Sequence, residues 1–123
     1  MTSCNKRDML LDDNRLSAEA KRKFLAVLKD VRSKGLPLLV WEVYRSPAKQ
    51  LKLFIKGLTR LRFPKWHGNG RAMDCCWLVD GKPTWNVPQE WWQTYGKAVR
   101  AHGLIWGGDW KTRDCPHAQW EGK

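Results

Sequence analysis

Two short segments of this chain hold residues whose types and spacing suit hydrolytic chemistry. The first is His67-Gly-Asn-Gly-Arg-Ala-Met-Asp74, and the second is Asp114-Cys-Pro-His117. Two imidazoles and a carboxylate, with one coordination position left for water, make up the ligand set of a catalytic zinc. Such an ion lowers the pKa of its water towards neutrality, and a neighbouring carboxylate can then take the proton. Asp114, three positions before His117, stands close enough to share the site without binding the metal. Gly68 and Gly70 let the backbone turn tightly between His67 and the segment that delivers Asp74.

Elements on either side must hold these residues in place. Ser17 can cap a helix from Ala18 to Lys34, with Ala20, Phe24, Val27, Leu28 and Val31 on one face. Gly35 and Pro37 stop it. Leu38 to Tyr44 is rich in strand formers and short, which predicts a largely buried strand. Ser46-Pro47 opens a second helix, whose stripe is Leu51, Phe54, Ile55 and Leu58. The chain from Thr59 to Gly70 reads as loop.

Ala72 to Val79 reads as a strand, with Ala72, Asp74 and Cys76 on one face and Met73, Cys75 and Trp77 on the other. Asp80-Gly81 is a hairpin turn leading back through Thr84-Trp85. Pro88 starts a third helix, with Trp91, Trp92, Tyr95 and Val99 on one side and Gly103 closing it. Leu104–Trp106 and Cys115–Trp120 are short strands separated by a glycine turn at Gly107-Gly108. The order αβαββαββ predicts an α+β fold: one domain over residues 1–123, with a small, mainly antiparallel sheet packed by about three helices.

Composition narrows the class further. The chain has 123 residues, 42% of them hydrophobic and 28% charged, with no repeat or low-complexity tract. A chain of this length can bury about two-thirds of its unfolded surface, enough for a core without staples. Its net charge of +11, from 23 Lys and Arg against 12 Asp and Glu, favours a polyanionic partner such as nucleic acid, an anionic lipid face or an acidic bacterial envelope. No stretch approaches the roughly 18 apolar residues of a membrane span, and the opening Met-Thr-Ser-Cys-Asn-Lys-Arg-Asp lacks the apolar core of a secretion signal. Synthesis in the cytoplasm is the expectation. Cys4, Cys75, Cys76 and Cys115 lack CxxC spacing and are expected as reduced thiols that pack as small hydrophobes.

The pattern HxxGxAxD followed by DxPH, with Gly-Leu-Ile-Trp-Gly-Gly-Asp-Trp (103–110) just before the second motif, resembles a family of zinc peptidases. That family includes D-Ala-D-Ala carboxypeptidases and phage L-alanyl-D-glutamate endolysins, and the endolysin branch is the more similar. Tyr44-Arg45-Ser46-Pro47 and Gln50 extend the likeness over about residues 40–120.

The resemblance implies one zinc per chain held by His67, Asp74 and His117, with Asp114 as general base. Arg45 would stabilise the substrate carbonyl or carboxylate, and Gln50 belongs to the same substrate-binding segment. The family's usual Ser two residues before the first histidine is Lys65 here, placed to attract a stem-peptide carboxylate. The usual aromatic after the last histidine is Ala118. The implied activity is cleavage of the L-Ala-D-Glu bond of peptidoglycan by a monomer during phage lysis, reaching the wall from the host cytoplasm by a holin-type route.

Simpler roles exist for each of these residues. His67 and His117 can be ordinary hydrogen-bonded histidines, and Asp114 a turn residue before proline. Arg45 can pair with Glu42 or Asp109. Asp109 orders the GGDW turn or supports a ligand, and His102 suits a helix end. Trp106, Trp110 and Trp120 pack around the site. Cys76 and Cys115 flank the proposed ligands, although a thiolate set suits a structural metal better.

Within enzymes the alternative is a D-Ala-D-Ala carboxypeptidase or dipeptidase. So short a chain has little material to close one end of a cleft, which favours an endopeptidase. A non-catalytic basic module for an envelope, an anionic outer-membrane or lipid surface, or nucleic acid would suit the charge and the nine tryptophans. It would not need the paired motifs, which argue against nucleic acid.

The charge yields a first prediction. Exposed charges act over about 8–10 Å at physiological salt, so added salt should slow attack on intact walls. Cleavage of a small soluble muropeptide should be much less sensitive. Rates for both substrates measured against salt concentration check this, and a parallel fall would show that the charge does not act by steering.

Overall fold

The structure, a computed structural model, describes residues 6–13, 16–43, 55–56 and 71–122. The expected second helix after Ser46-Pro47 and the loop from Thr59 to Gly70 lie outside them, apart from Ile55 and Lys56. So do Tyr44 and Cys4.

Helix α1 (Ala18–Ser33) begins where Ser17 accepts a hydrogen bond from the Ala20 amide, and it buries the five residues that the 3.6-residue period selects. The chain leaves it through Gly35, whose φ of +80° only glycine adopts without strain. Strands β1 (Leu38–Glu42), β2 (Ala72–Val79) and β3 (Lys82–Thr84) follow, then helix α2 (Gln89–Ala101), β4 (Ile105–Trp106) and β5 (His117–Gln119). Asp80 and Gly81, with φ of 54° and 75°, form the β2–β3 turn with both central residues left-handed, as a two-residue hairpin requires. Together these elements make an α+β fold.

Among the described residues all strand pairings are antiparallel, and β2 is the hub of the sheet. One edge of β2 pairs with β1. Its other edge pairs with β5 at Ala72–Asp74 and with β3 at Trp77–Val79, while β4 lies beyond β5. Met73, Cys75, Trp77, Leu38, Val40 and Ala118 turn into one hydrophobic core with Phe24, Val27 and Val31 of α1 and with Tyr95 and Val99 of α2. Trp77 meets Trp91 and Trp92 edge-on, at ring separations of 5.3 and 5.4 Å. Asp74, opposite His117, is therefore on the face of the sheet away from this core. Among the described residues no helix is long and apolar enough to cross a membrane.

A 3-10 helix at Lys6–Asp12 was not foreseen. It buries Leu11, and Arg7 donates to the carbonyls of Val40 and Trp41 on β1 while its guanidinium lies over the Trp41 ring. Asp8 takes two bonds from Arg32 of α1, at 2.8 and 2.9 Å. This segment therefore ties the N-terminal region to both α1 and the strand beside β2.

The expected glycine turn at 107–108 is instead a second 3-10 helix, Gly107–Asp109, and neither glycine has a positive φ. The glycines are needed for room. A Cβ on Gly108, or on Gly96 of α2, would fall inside the Trp106 ring, and one on Gly107 would strike the Asp114 carbonyl. Trp106 is thus packed against glycines of α2 and of this 3-10 helix, and its indole N–H donates to the Cys115 carbonyl at 2.8 Å.

Replacing Gly96 by Ala separates packing from helix propensity. In an ordinary helix interior the change stabilises by about 1 kcal/mol. Here overpacking against Trp106 should cost about 1–3 kcal/mol and give a net loss. Urea unfolding measures it, and an unchanged or raised midpoint would rule out the close packing.

Candidate active site

Asp74 and His117 are direct partners on β2 and β5, so their side chains leave the same face of the sheet side by side. His117 Nδ1 lies 3.2 Å from Asp74 Oδ1 and 3.9 Å from Asp114 Oδ2. One donor atom from each of the three residues lies within 4.8 Å of the others. His117 is buried, Asp74 half-buried and Asp114 exposed.

The backbone that delivers Asp114 and His117 is pinned at several points. The Asp114 amide donates to the Gly107 carbonyl at 2.9 Å, and the His117 amide returns to the Asp114 carbonyl at 3.0 Å. The Pro116 carbonyl accepts from the Cys75 amide at 3.0 Å and from the Tyr95 hydroxyl at 2.9 Å. Tyr95 reaches this bond through the core, and its burial pushes the phenol well above its ordinary pKa, so it remains a donor. Trp110 lies over the imidazole, with ring centres 5.1 Å apart and 43° between the planes, and is itself partly exposed.

A tetrahedral zinc with bonds of about 2.0–2.2 Å separates its ligand atoms by about 3.4 Å. The 3.2 Å between His117 Nδ1 and Asp74 Oδ1 matches that spacing, and nitrogen and carboxylate oxygen suit the ion. The donors fit a zinc ion. Asp114, at 3.9 Å, stands looser, as a group beside the ligands would.

His67, Arg45, Gln50 and Lys65 lie outside the described residues. Asp109 does not join the cluster: its carboxylate pairs with Arg100 of α2 through two bonds, one at 2.8 Å, which holds the GGDW segment to the helix. That pairing suits the expected role of ordering the turn. Cys75, Cys76 and Cys115 are free thiols outside the cluster, and burial pushes the Cys76 pKa up to about 11. Trp106 is core, Trp120 lies under the Arg71 guanidinium, and His102 meets Asp30 of α1 at 3.3 Å.

Two residues near the donors were not singled out in the sequence. Gln119 Oε1 is 2.8 Å from His117 Nε2, and Gln119 Nε2 is 2.7 Å from Glu121 Oε2. Gln119 is only 2% exposed. The available signal was its place two residues after His117 on one strand, hence on the same face.

Asp74 and His117 on neighbouring antiparallel strands, with Asp114 just before β5, bring an imidazole and two carboxylates together in a group that could hold a metal ion. Residues 65–120, which include all three converging donors, match the family model described as D-alanyl-D-alanine carboxypeptidase, and the chain resembles that peptidase family. Its fold is similar to that of the L-Ala D-Glu endopeptidase ChiX of Serratia marcescens, with 24% identity, 97% of this chain and 89% of that chain covered, and a TM-score of 0.69. It is also similar to the LdcB LD-carboxypeptidase, with 18% identity, 85% of this chain covered and a TM-score of 0.61. In that comparison the chain spans 58% of the larger protein.

The pair has a pH signature in metal-free protein. Burial disfavours the His117 imidazolium, but the hydrogen bond and charge of Asp74, helped by Gln119 and Asp114, outweigh it and raise the pKa above its ordinary value. A raised folded-state pKa gives stability that is full below the unfolded value of about 6.5 and is lost as pH rises through the folded pKa. Asp74→Asn should lower the His117 titration and flatten that slope. Imidazole NMR titration and unfolding midpoints across this window check it, and a titration at or below the ordinary value would contradict the pairing.

Proposed function

We propose that the chain is a zinc-dependent endopeptidase that hydrolyses the L-Ala-D-Glu bond of peptidoglycan stem peptides. The observation that carries this reading is the convergence of Asp74, Asp114 and His117 within a segment that matches a peptidase family model. His67 would complete the zinc ligands with Asp74 and His117. Nearly full coverage in both directions with an endopeptidase of similar size supports endopeptidase over carboxypeptidase. The setting we propose, on the resemblance to the endolysin branch, is phage lysis of a bacterial host.

When bound, zinc would supply Lewis-acid chemistry, acidifying water and polarising the scissile carbonyl. The residues do the rest. Asp74 and His117 hold their donor atoms at a spacing set by the β2–β5 register. Asp114 accepts a proton from the attacking water as its oxygen bonds to the carbonyl carbon, and gives it to the amide nitrogen as the C–N bond breaks. A carboxylate and an amine leave. Trp110, over the imidazole, excludes water from one side. Arg45, with Gln50 and Lys65, would hold substrate carbonyl and carboxylate groups.

Elemental analysis should find one zinc per chain, with His67→Ala, Asp74→Ala and His117→Ala each losing metal and activity together. Asp114→Asn should keep zinc and fold while losing about 10²–10⁴-fold in turnover. A loss below tenfold would reduce Asp114 to a turn residue. Mass spectrometry of digested walls identifies the bond: new amino-terminal D-Glu supports the endopeptidase, whereas release of terminal D-Ala would make the chain a carboxypeptidase.

A further inference from the structure

Gln119 is a buried amide with a polar partner at each end. Burying an amide without partners costs about 1–3 kcal/mol on mutational scales, so a side chain of this type is kept inside for its bonds. The partners fix its orientation. The Glu121 carboxylate accepts only, so the amide's NH2 end faces Glu121 at 2.7 Å and the carbonyl end faces the His117 ring at 2.8 Å. A carbonyl oxygen also accepts only, so the ring nitrogen it meets, Nε2, must carry hydrogen. A neutral imidazole with hydrogen on Nε2 has its lone pair on Nδ1, the nitrogen that faces Asp74 at 3.2 Å.

We infer that Gln119, oriented by Glu121, is a positioning residue that holds His117 as the Nε2–H tautomer and so makes Nδ1 its metal-binding nitrogen. The inference rests on the zinc reading above and adds to it the means by which one ring nitrogen is selected. The chain of polarity runs in one direction, from the exposed Glu121 carboxylate through the buried amide to the ring. The strand supplies the geometry, since His117 and Gln119 are two residues apart on β5. An imidazole without this acceptor could place its proton on Nδ1, where it would satisfy Asp74 and remove the lone pair that a metal needs.

The test uses the full chain and zinc alone, with affinity read by competition against a chelator and the ring read by ¹⁵N NMR. Gln119→Met keeps volume but removes the acceptor, and zinc affinity should fall about 10–100-fold, as for other groups that orient metal-binding histidines. The double variant Gln119→Glu with Glu121→Gln keeps an acceptor towards the ring, a donor–acceptor pair between 119 and 121, and the net charge. It should bind zinc nearly as tightly as the unmodified chain. Spectra of the unmodified chain, taken above the pKa of the ring, should show hydrogen on Nε2 without zinc and coordination through Nδ1 with it.

A neutral ring protonated on Nδ1, zinc on Nε2, or unchanged affinity in Gln119→Met would each overturn the inference. If Gln119→Met does not fold, the double variant and the unmodified chain's spectra decide alone. An unmodified chain that binds no zinc would sink the proposed activity, while the zinc-free spectrum would still report whether Gln119 sets the tautomer.

Discussion

Residues opposite one another on neighbouring antiparallel strands are held at a separation that the backbone ladder dictates, and Asp74 and His117 occupy such a position on β2 and β5. The contact is costly on its own. A carboxylate oxygen and an imidazole nitrogen 3.2 Å apart in a half-buried place repel unless a positive centre lies between them, and removing either charge from water adds a penalty. A proton or a metal ion resolves the repulsion. Much else in this part of the molecule serves to keep the pair from relaxing apart.

The supports converge on four residues, Asp114 to His117. The Tyr95 hydroxyl, the Cys75 amide, the Trp106 indole and the Gly107 carbonyl each bond to the backbone of this stretch, and they come from α2, β2, β4 and the following 3-10 helix. Each support is rigid for a reason of its own. Tyr95 is fully buried, Trp106 is packed against glycines, and the 3-10 helix is held to α2 by Arg100 and Asp109. The Gly-Gly-Asp-Trp motif therefore works as a packing device: its glycines admit Trp106 and the Asp114 backbone, its aspartate grips a helix, and its tryptophan covers the imidazole. A substitution at Gly107 would reach the site without touching a donor atom, because the added Cβ would meet the Asp114 carbonyl first.

The sequence disclosed most of this where local physics decides. The five buried positions of α1, the limits of β2 and the left-handed Asp80-Gly81 turn follow from periodicity and from what one or two residues can adopt. Asp74, Asp114 and His117 were legible as residue types able to hold a metal or move a proton, and the structure brings these three together. Three things were not. The N-terminal 3-10 helix has no period to read, and its reason for forming lies in Arg7 and Asp8 meeting β1 and Arg32. The glycines at 107 and 108 looked like a turn because glycine's usual role is conformational, whereas the need here is set by a tryptophan ring. Gln119 is indistinguishable from a surface glutamine until β5 is placed inside the sheet. Arg45, Gln50, Lys65 and His67, expected at the site, lie outside the described residues.

A net charge of +11 opposes the binding of a cation, yet distance decides which charges matter. Two unit charges about 4 Å apart interact by about 4 kcal/mol at the effective dielectric of a protein surface. The same charges about 15 Å apart across water interact by about 0.3 kcal/mol before salt screening, and less after it. Two carboxylates and an imidazole gathered within 4.8 Å therefore outweigh basic groups at that longer range in setting the local potential. Small attractions of this kind add only where a large polyanion meets many basic residues at once. A net charge of +11 and a small negative centre suited to a divalent ion are therefore compatible in one chain.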